Sequence, residues 1–289
     1  MTRKSIDRSL RISGIIAFLG LAGCGAGGAS DGGGETDNGA SASAPGAGET
    51  DNGVSASAPG AGGPIELAES AHSGTTAIST IEGNAVIEGD IVVVQKQSDH
   101  VATSTSAVDV WHDGVVPFVI DSKFPDKERV TDAIDHWEKR TGVRFVARKK
   151  EKDYVRFFSG DGCYSYIGRV GGKQDVSLGD GCTTGNAIHE IGHSLGLAHE
   201  QSRSDRDKYV VVHLENVQSG YKSDFDKTKF KSIGSYDIGS IMHYGSTFFS
   251  KNGKPTLTDK DGGLIEANRT ALSKKDIAGI AELYADEIP

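Results

Sequence analysis

His189, Glu190 and His193 stand in the order HExxH, and Gly196 and His199 complete the longer pattern HExxHxxGxxH. Histidines four residues apart on a helix leave from one face, so both imidazoles can reach a single cation. Glu190 sits one residue round, beside that face, where it can hold a water on the metal. Gly196 tolerates the left-handed backbone that ends a helix and turns the chain, which brings His199 back as a third nitrogen donor. Three protein donors with a fourth place open is the arrangement of a catalytic zinc site, whereas a structural site fills all four. One Zn2+ held in this way lowers the pKa of its water and polarises a carbonyl. Glu190 would then take the proton from the water and pass it to the leaving amine.

The elements that must position these residues can be read on either side of them. A helix is expected from about Asn186 through the motif. Residues 115–120 (VVPFVI) read as a strand, and residues 126–140 carry Val130, Ala133, Ile134 and Trp137 at helical spacing. Residues 143–147 and 154–158 alternate as strands, with a short candidate at residues 175–178 just before the motif. A closing helix is expected near residues 274–284. The fold class is therefore α+β, in two lobes, and the globular part begins near Val110. Of the three cysteines, Cys163 and Cys182 fall within it. Export to an oxidising compartment favours pairing them, which would add roughly 3 kcal/mol by restricting the unfolded chain; two free thiols or a shared metal are the alternatives.

The stretch HEIGHSLGLAHEQSRSDRD, residues 189–207, resembles the signature of the astacin family of metzincin peptidases. Glu200, directly after the third histidine, is the residue that astacins have there, where serralysin-like enzymes typically have Pro. Arg203, Asp205, Arg206 and Asp207 match the continuation. Downstream, Ser240-Ile241-Met242-His243-Tyr244 resembles the Met-turn, which implies that Met242 floors the metal site. The same resemblance makes Tyr244 an additional zinc ligand that swings away to hydrogen-bond the reacting carbonyl, and gives His243 a structural role. It implies a two-lobed metzincin-like zinc peptidase domain with a mixed, twisted N-terminal sheet, an active-site helix and a Met-turn. Cys163 and Cys182 fall where the family has one of its two usual disulfides. Gly142 and Ile288 stand where the cysteines of the other would be, leaving the C-terminal segment held by packing alone.

The N-terminal third reads differently. Arg3, Lys4, Arg8 and Arg11 precede a short apolar run, residues 12–22, too short to span a membrane. It ends in Leu21-Ala22-Gly23-Cys24, which resembles the lipobox of bacterial lipoproteins, with Cys24 as the lipidated residue. Residues 1–23 are thus expected to be a signal peptide. Residues 24–63 form a Gly/Ser/Ala-rich tether in which ETDNGASASAPGAG recurs with one change. Such a tract buries too little apolar surface to fold and as a coil spans roughly 35 Å. Residues 64–101 are read as a pro-segment. Ile87-Glu88-Gly89-Asp90 resembles the F-x-G-D motif of astacin zymogens, with Ile for Phe, so Asp90 would bind the zinc in place of water. The catalytic domain is then residues 102–289, starting at Ala102, whose new amino group would be buried against Glu200.

The chain carries 40 acidic against 31 basic side chains, a net charge of −9, which argues against nucleic acid as a partner. The expected partners are polypeptide substrates, and a membrane through the lipid anchor at Cys24. The expected location is a bacterial cell envelope, outer membrane or surface, and nothing in the sequence suggests a dimer. A substrate peptide would add as a strand along an edge near residues 175–178. Arg269 falls in the region that resembles the basic specificity pocket of the family. Another metzincin class, or a silent binding module on the same fold, are the competing readings. Glu200 and the run from Arg203 to Asp207 disfavour the first, and retention of Glu190 and all three histidines disfavours the second.

Overall fold

Eight strands, all preceding the catalytic motif in the sequence, join one mixed sheet, and the two strands that follow it pair separately. A computed structural model describes residues 79–93 and 108–288, all within a single unit spanning Val54–Pro289. The expected signal peptide, tether, Cys24 and Ala102 lie outside the described residues. In chain order the main elements are β1 (Ser79–Ile81), β2 (Asn84–Ile87), β3 (Ile91–Val92), β4 (Val115–Ile120), α1 (Glu128–Glu138), β5 (Arg144–Ala147), β6 (Tyr154–Phe158), β7 (Cys163–Tyr166), β8 (Lys173–Leu178), α2 (Thr184–Ser194), β9 (Val210–Val212), β10 (Leu257–Asp259) and α3 (Lys274–Leu283). No helix among the described residues is long and apolar enough to cross a membrane.

The eight-stranded sheet has the order β1-β2-β3-β7-β8-β6-β4-β5. Strands β5, β4, β6 and β8 run parallel, and β7 is antiparallel to β8. Strands β1 to β3 form a meander added to the far side of β7, with Ile91 opposite Ser165 in a parallel pair. This corrects one expectation. Residues 175–178 do form part of a strand, β8, but it lies inside the sheet, paired with both β6 and β7. β7 is likewise interior, between β8 and β3, and the edges of this sheet are β1 and β5.

Helix α1 forms where Val130, Ala133, Ile134 and Trp137 recur on one face, and all four are buried. Trp137 donates its indole N–H to the Ile188 carbonyl at 3.0 Å, tying α1 to α2. Helix α2 starts two residues earlier than expected. Thr183 caps it, and Asn186 reaches back to the Thr183 backbone, so Asn186 belongs to the capping box rather than to the first residue. Along α2 Ala187, Ile188 and Ile191 are buried, and so is every residue of the catalytic motif, as expected of a helix enclosed on all sides. Arg129 of α1 donates to the Leu178, Gly179 and Cys182 carbonyls. It thereby fixes the loop that enters α2, the same loop that Cys182 joins to Cys163.

After α2 the chain runs mainly in loops around a second apolar cluster that includes Phe225, Tyr236, Tyr244, Phe249 and Leu257. Helix α3 closes the molecule, and its Asp276 serves two structures at once. The carboxylate accepts from the Ser273 backbone as a cap, and from Ser240 Oγ and Ile241 N at the candidate Met-turn. Gly142 and Ile288 meet, as expected from their place in the sequence. A Cβ built on Gly142 would lie 3.7 Å from Ile288 Cβ and 2.7 Å from its Cγ2. The C-terminal segment is nonetheless held by more than packing: Glu287 accepts from His112 Nδ1 and the Asp113 backbone, and Tyr284 donates to Leu195 O.

Candidate metal centre

Three imidazoles and one carboxylate converge where α2 and the loop after it meet the turn before β3. His189 and His193 leave α2 one turn apart. Gly196, with φ of +110°, reverses the chain just beyond the helix and returns His199 beside them. The Nε2 atoms of His189, His193 and His199 and a carboxylate oxygen of Asp90 all lie within 4.8 Å of one another. The individual separations are 3.2 Å from Asp90 Oδ2 to His189 Nε2, 3.6 Å from Oδ1 to His193 Nε2, and 3.2 Å from Oδ1 to His199 Nε2. The sheet delivers Asp90, because pairing of β3 with β7 fixes the turn immediately before it.

These atoms fit a cation. His189 Nδ1 lies 2.8 Å from the Ile241 carbonyl and His193 Nδ1 2.8 Å from the Leu197 carbonyl. Carbonyls only accept, so both Nδ1 atoms carry hydrogen. Burial pushes both rings below their ordinary pKa, toward the neutral form, in which Nε2 bears a lone pair. Yet the two Nε2 atoms stand 3.1 Å apart, lone pair facing lone pair. Asp90 Oδ1 and His199 Nε2 are buried without a hydrogen-bond partner. Burial also opposes charge on His199, but Asp90 and then Glu88 outweigh it and lift its pKa to about 9. A positive charge belongs at the centre of this group, and three nitrogens with one oxygen suit zinc.

The remaining expected residues surround the donors. Glu190 is buried with Oε2 unpartnered, and burial, followed by Asp90, raises its pKa well above the carboxyl range. Met242 lies beneath the helix. A Cβ on Gly192 would come within 2.7 Å of the Met242 sulfur, so glycine at this point of the motif admits the floor residue. The Tyr244 hydroxyl donates to the Glu88 carbonyl. His243 is fully buried, with Nδ1 on the Tyr244 carbonyl and Nε2 accepting from Tyr236. Arg269 is only partly buried, and its Nη1 donates to the Ile241, His243 and Asn268 carbonyls. Glu200 accepts from the Asp237 backbone, and burial raises its pKa to about 7. It lines a cavity of about 380 Å³ with Arg203, Asp237, Met242 and Lys275.

Two residues near the centre escaped sequence reading. Glu88 places its carboxyl 3.0 Å from His199 Nδ1, and Asp224 accepts from the Glu88 backbone N–H at 3.2 Å. The only available signal for Glu88 is its place inside the Ile87–Asp90 motif, and Asp224, in a single 3-10 turn of residues 222–225, gives none.

Residues 103–285 match the model of the peptidase family described as Astacin. The chain belongs to the astacin family. Its curated relatives include the zinc metalloproteinase nas-13 of Caenorhabditis elegans, 41% identical over 182 residues, which are 60% of this chain and 40% of that protein. The protein SpAN of Strongylocentrotus purpuratus is 43% identical over 190 residues, 60% of this chain and 31% of SpAN. The chain thus spans well under half the length of these relatives. Among solved structures, high choriolytic enzyme 1, a hatching-enzyme zinc-protease of the medaka Oryzias latipes, is 34% identical with a TM-score of 0.58. That match covers 67% of this chain and 98% of the medaka one. Astacin-family metalloproteinases use one catalytic zinc, and the donor set built by α2, Gly196 and β3 is the group that fits it here.

Proposed function

We propose that this chain is a zinc-dependent endopeptidase made in a latched form, with His189, His193 and His199 as permanent ligands and Asp90 as a removable one. The observation that carries the reading is the apposition of lone-pair nitrogens whose other ring nitrogens are already committed to carbonyls. When bound, the zinc would supply a polarised scissile carbonyl and a water of lowered pKa. Glu190 would serve as the base that accepts a proton from the attacking water and returns it to the departing amine. Its high pKa in the latched form owes first to burial and then to Asp90, so departure of Asp90 moves it toward the base that the step requires. Tyr244, released from the Glu88 carbonyl, donates its hydroxyl to the oxygen on which charge develops. Arg269 keeps donors beyond Nη1 for an acidic residue following the scissile bond.

Residues 79–93 close the site in two ways. Asp90 occupies the open ligand place, and β3 pairs with β7, covering the strand that would become an edge for an extended substrate once residues 79–93 leave. Residues 64–101 are accordingly the pro-segment and residues 102–289 the catalytic domain. The cavity beside Glu200 supports the same reading, since it offers a buried carboxyl to an amino group created by cleavage near Ala102. Residues 1–23 would export the chain, and Cys24 with the tether of residues 24–63 would anchor it to a bacterial envelope. The full-length protein is expected to be inert on peptides until proteolysis removes the pro-segment, then active and silenced by a zinc chelator. In the activated protein Glu190→Gln should lower kcat by about 10²- to 10⁴-fold; unchanged kcat would refute the mechanism.

A further inference from the structure

Each imidazole at the centre must be held by its outer ring nitrogen if Nε2 is to stay aimed, and such outer partners tune both orientation and donor strength. For His189 and His193 the partners are carbonyls of the domain itself, Ile241 and Leu197. For His199 the partner is the Glu88 carboxyl, 111 residues away in sequence. Glu88 is itself buried, and its backbone is fixed independently of its side chain. The N–H donates to Asp224, the carbonyl accepts from Tyr244, and φ is +50°. Gly89 follows with φ of +78°, packed so closely that a Cβ would lie 2.6 Å from Phe249 Cζ. Glu88 and Asp90 thus enter the site together on one rigid turn. Their two carboxylates bracket His199, one on each nitrogen, and match the double charge of a buried divalent ion.

We propose that Glu88 is a positioning residue for His199, so that the chain holds its metal more tightly with residues 79–93 in place than after they leave. This rests on the reading of that segment as removable and of His199 as a ligand. It makes the pro-segment a metal-retaining element as well as a plug.

The test is zinc affinity of the full-length chain, measured by competition with a chromophoric chelator. Glu88→Ala keeps the backbone contacts and is expected to bind zinc about 10- to 100-fold more weakly than wild type. Glu88→Gln, whose amide oxygen still accepts from Nδ1–H, should recover part of the loss. The visible absorption of the Co2+-substituted protein should shift in Glu88→Ala. The metal-free melting temperature should fall less than the zinc-bound one. Wild-type zinc affinity in Glu88→Ala overturns the proposal, as does an equal loss of stability with and without metal, which would mark the contact as merely structural. A peptidase assay on the uncleaved chain separates the two readings. If uncleaved wild type is active, the latch fails while an affinity loss in Glu88→Ala still upholds the positioning role. If it is inert and Glu88→Ala binds zinc normally, the latch stands and the positioning role falls.

Discussion

Arg269 and His189 share one acceptor. The Ile241 carbonyl takes a hydrogen bond from His189 Nδ1 at 2.8 Å and from Arg269 Nη1 at 2.7 Å, so the residue read as a specificity determinant also fastens the backbone behind a metal donor. Lysine would keep the charge but lose the planar fork that reaches several carbonyls. Hydrogen bonds to charged groups contribute roughly 1.5–3 kcal/mol, so Arg269→Lys is expected to cost about 2 kcal/mol in denaturant unfolding. It should also reduce the preference for acidic over neutral residues after the scissile bond, measured as a ratio of kcat/KM values. Unchanged stability would confine Arg269 to substrate contact. At this scale legibility follows sequence distance. His189, Glu190, His193, Gly196 and His199 fall within eleven consecutive positions, where helix geometry converts spacing into direction. Glu88 and Asp224 meet them only through tertiary packing, which leaves no periodic trace.

The elements were largely legible, with errors where local pattern gives way to pairing. Helices α1, α2 and α3 and strands β4, β5, β6 and β8 lie where hydrophobic spacing puts them. Strands β1 and β2 were missed, being three- and four-residue pieces that borrow their stability from the sheet they extend. The edge was assigned to β8 because alternation reveals a strand but not its neighbours. Gly185 shows what else patterns conceal. In the first turn of α2 a glycine looks like a weakness costing up to about 1 kcal/mol relative to alanine. Yet a Cβ there would overlap the Arg269 backbone carbonyl. Backbone cannot yield as a side chain can, so Gly185→Ala is expected to destabilise by about 2–3 kcal/mol despite its better propensity. Calorimetry would decide it, and a raised melting temperature would show that the two segments can separate without cost.

For the molecule as a whole, the absent second disulfide is met by surfaces that still face each other. The 3.7 Å between a Cβ on Gly142 and Ile288 Cβ matches the spacing that a disulfide requires. Gly142→Cys with Ile288→Cys should therefore oxidise spontaneously and stabilise the chain by on the order of 3–5 kcal/mol, given the long loop closed. Free thiols by titration, or no rise in melting temperature, would refute it. The present clasp of Glu287 on His112 and Asp113 is exposed and adds little of its own. A different consequence follows from the pairing of β3 with β7. While it lasts, the side of β7 opposite β8 is covered. If the proposed activation removes the meander, β7 would present a row of unsatisfied amides and carbonyls, the kind of border along which chains join into aggregates. On the proposed reading, the latched molecule would be the form suited to storage at high concentration. The activated one would have a shelf life set by how soon its open border meets a substrate or another copy of itself.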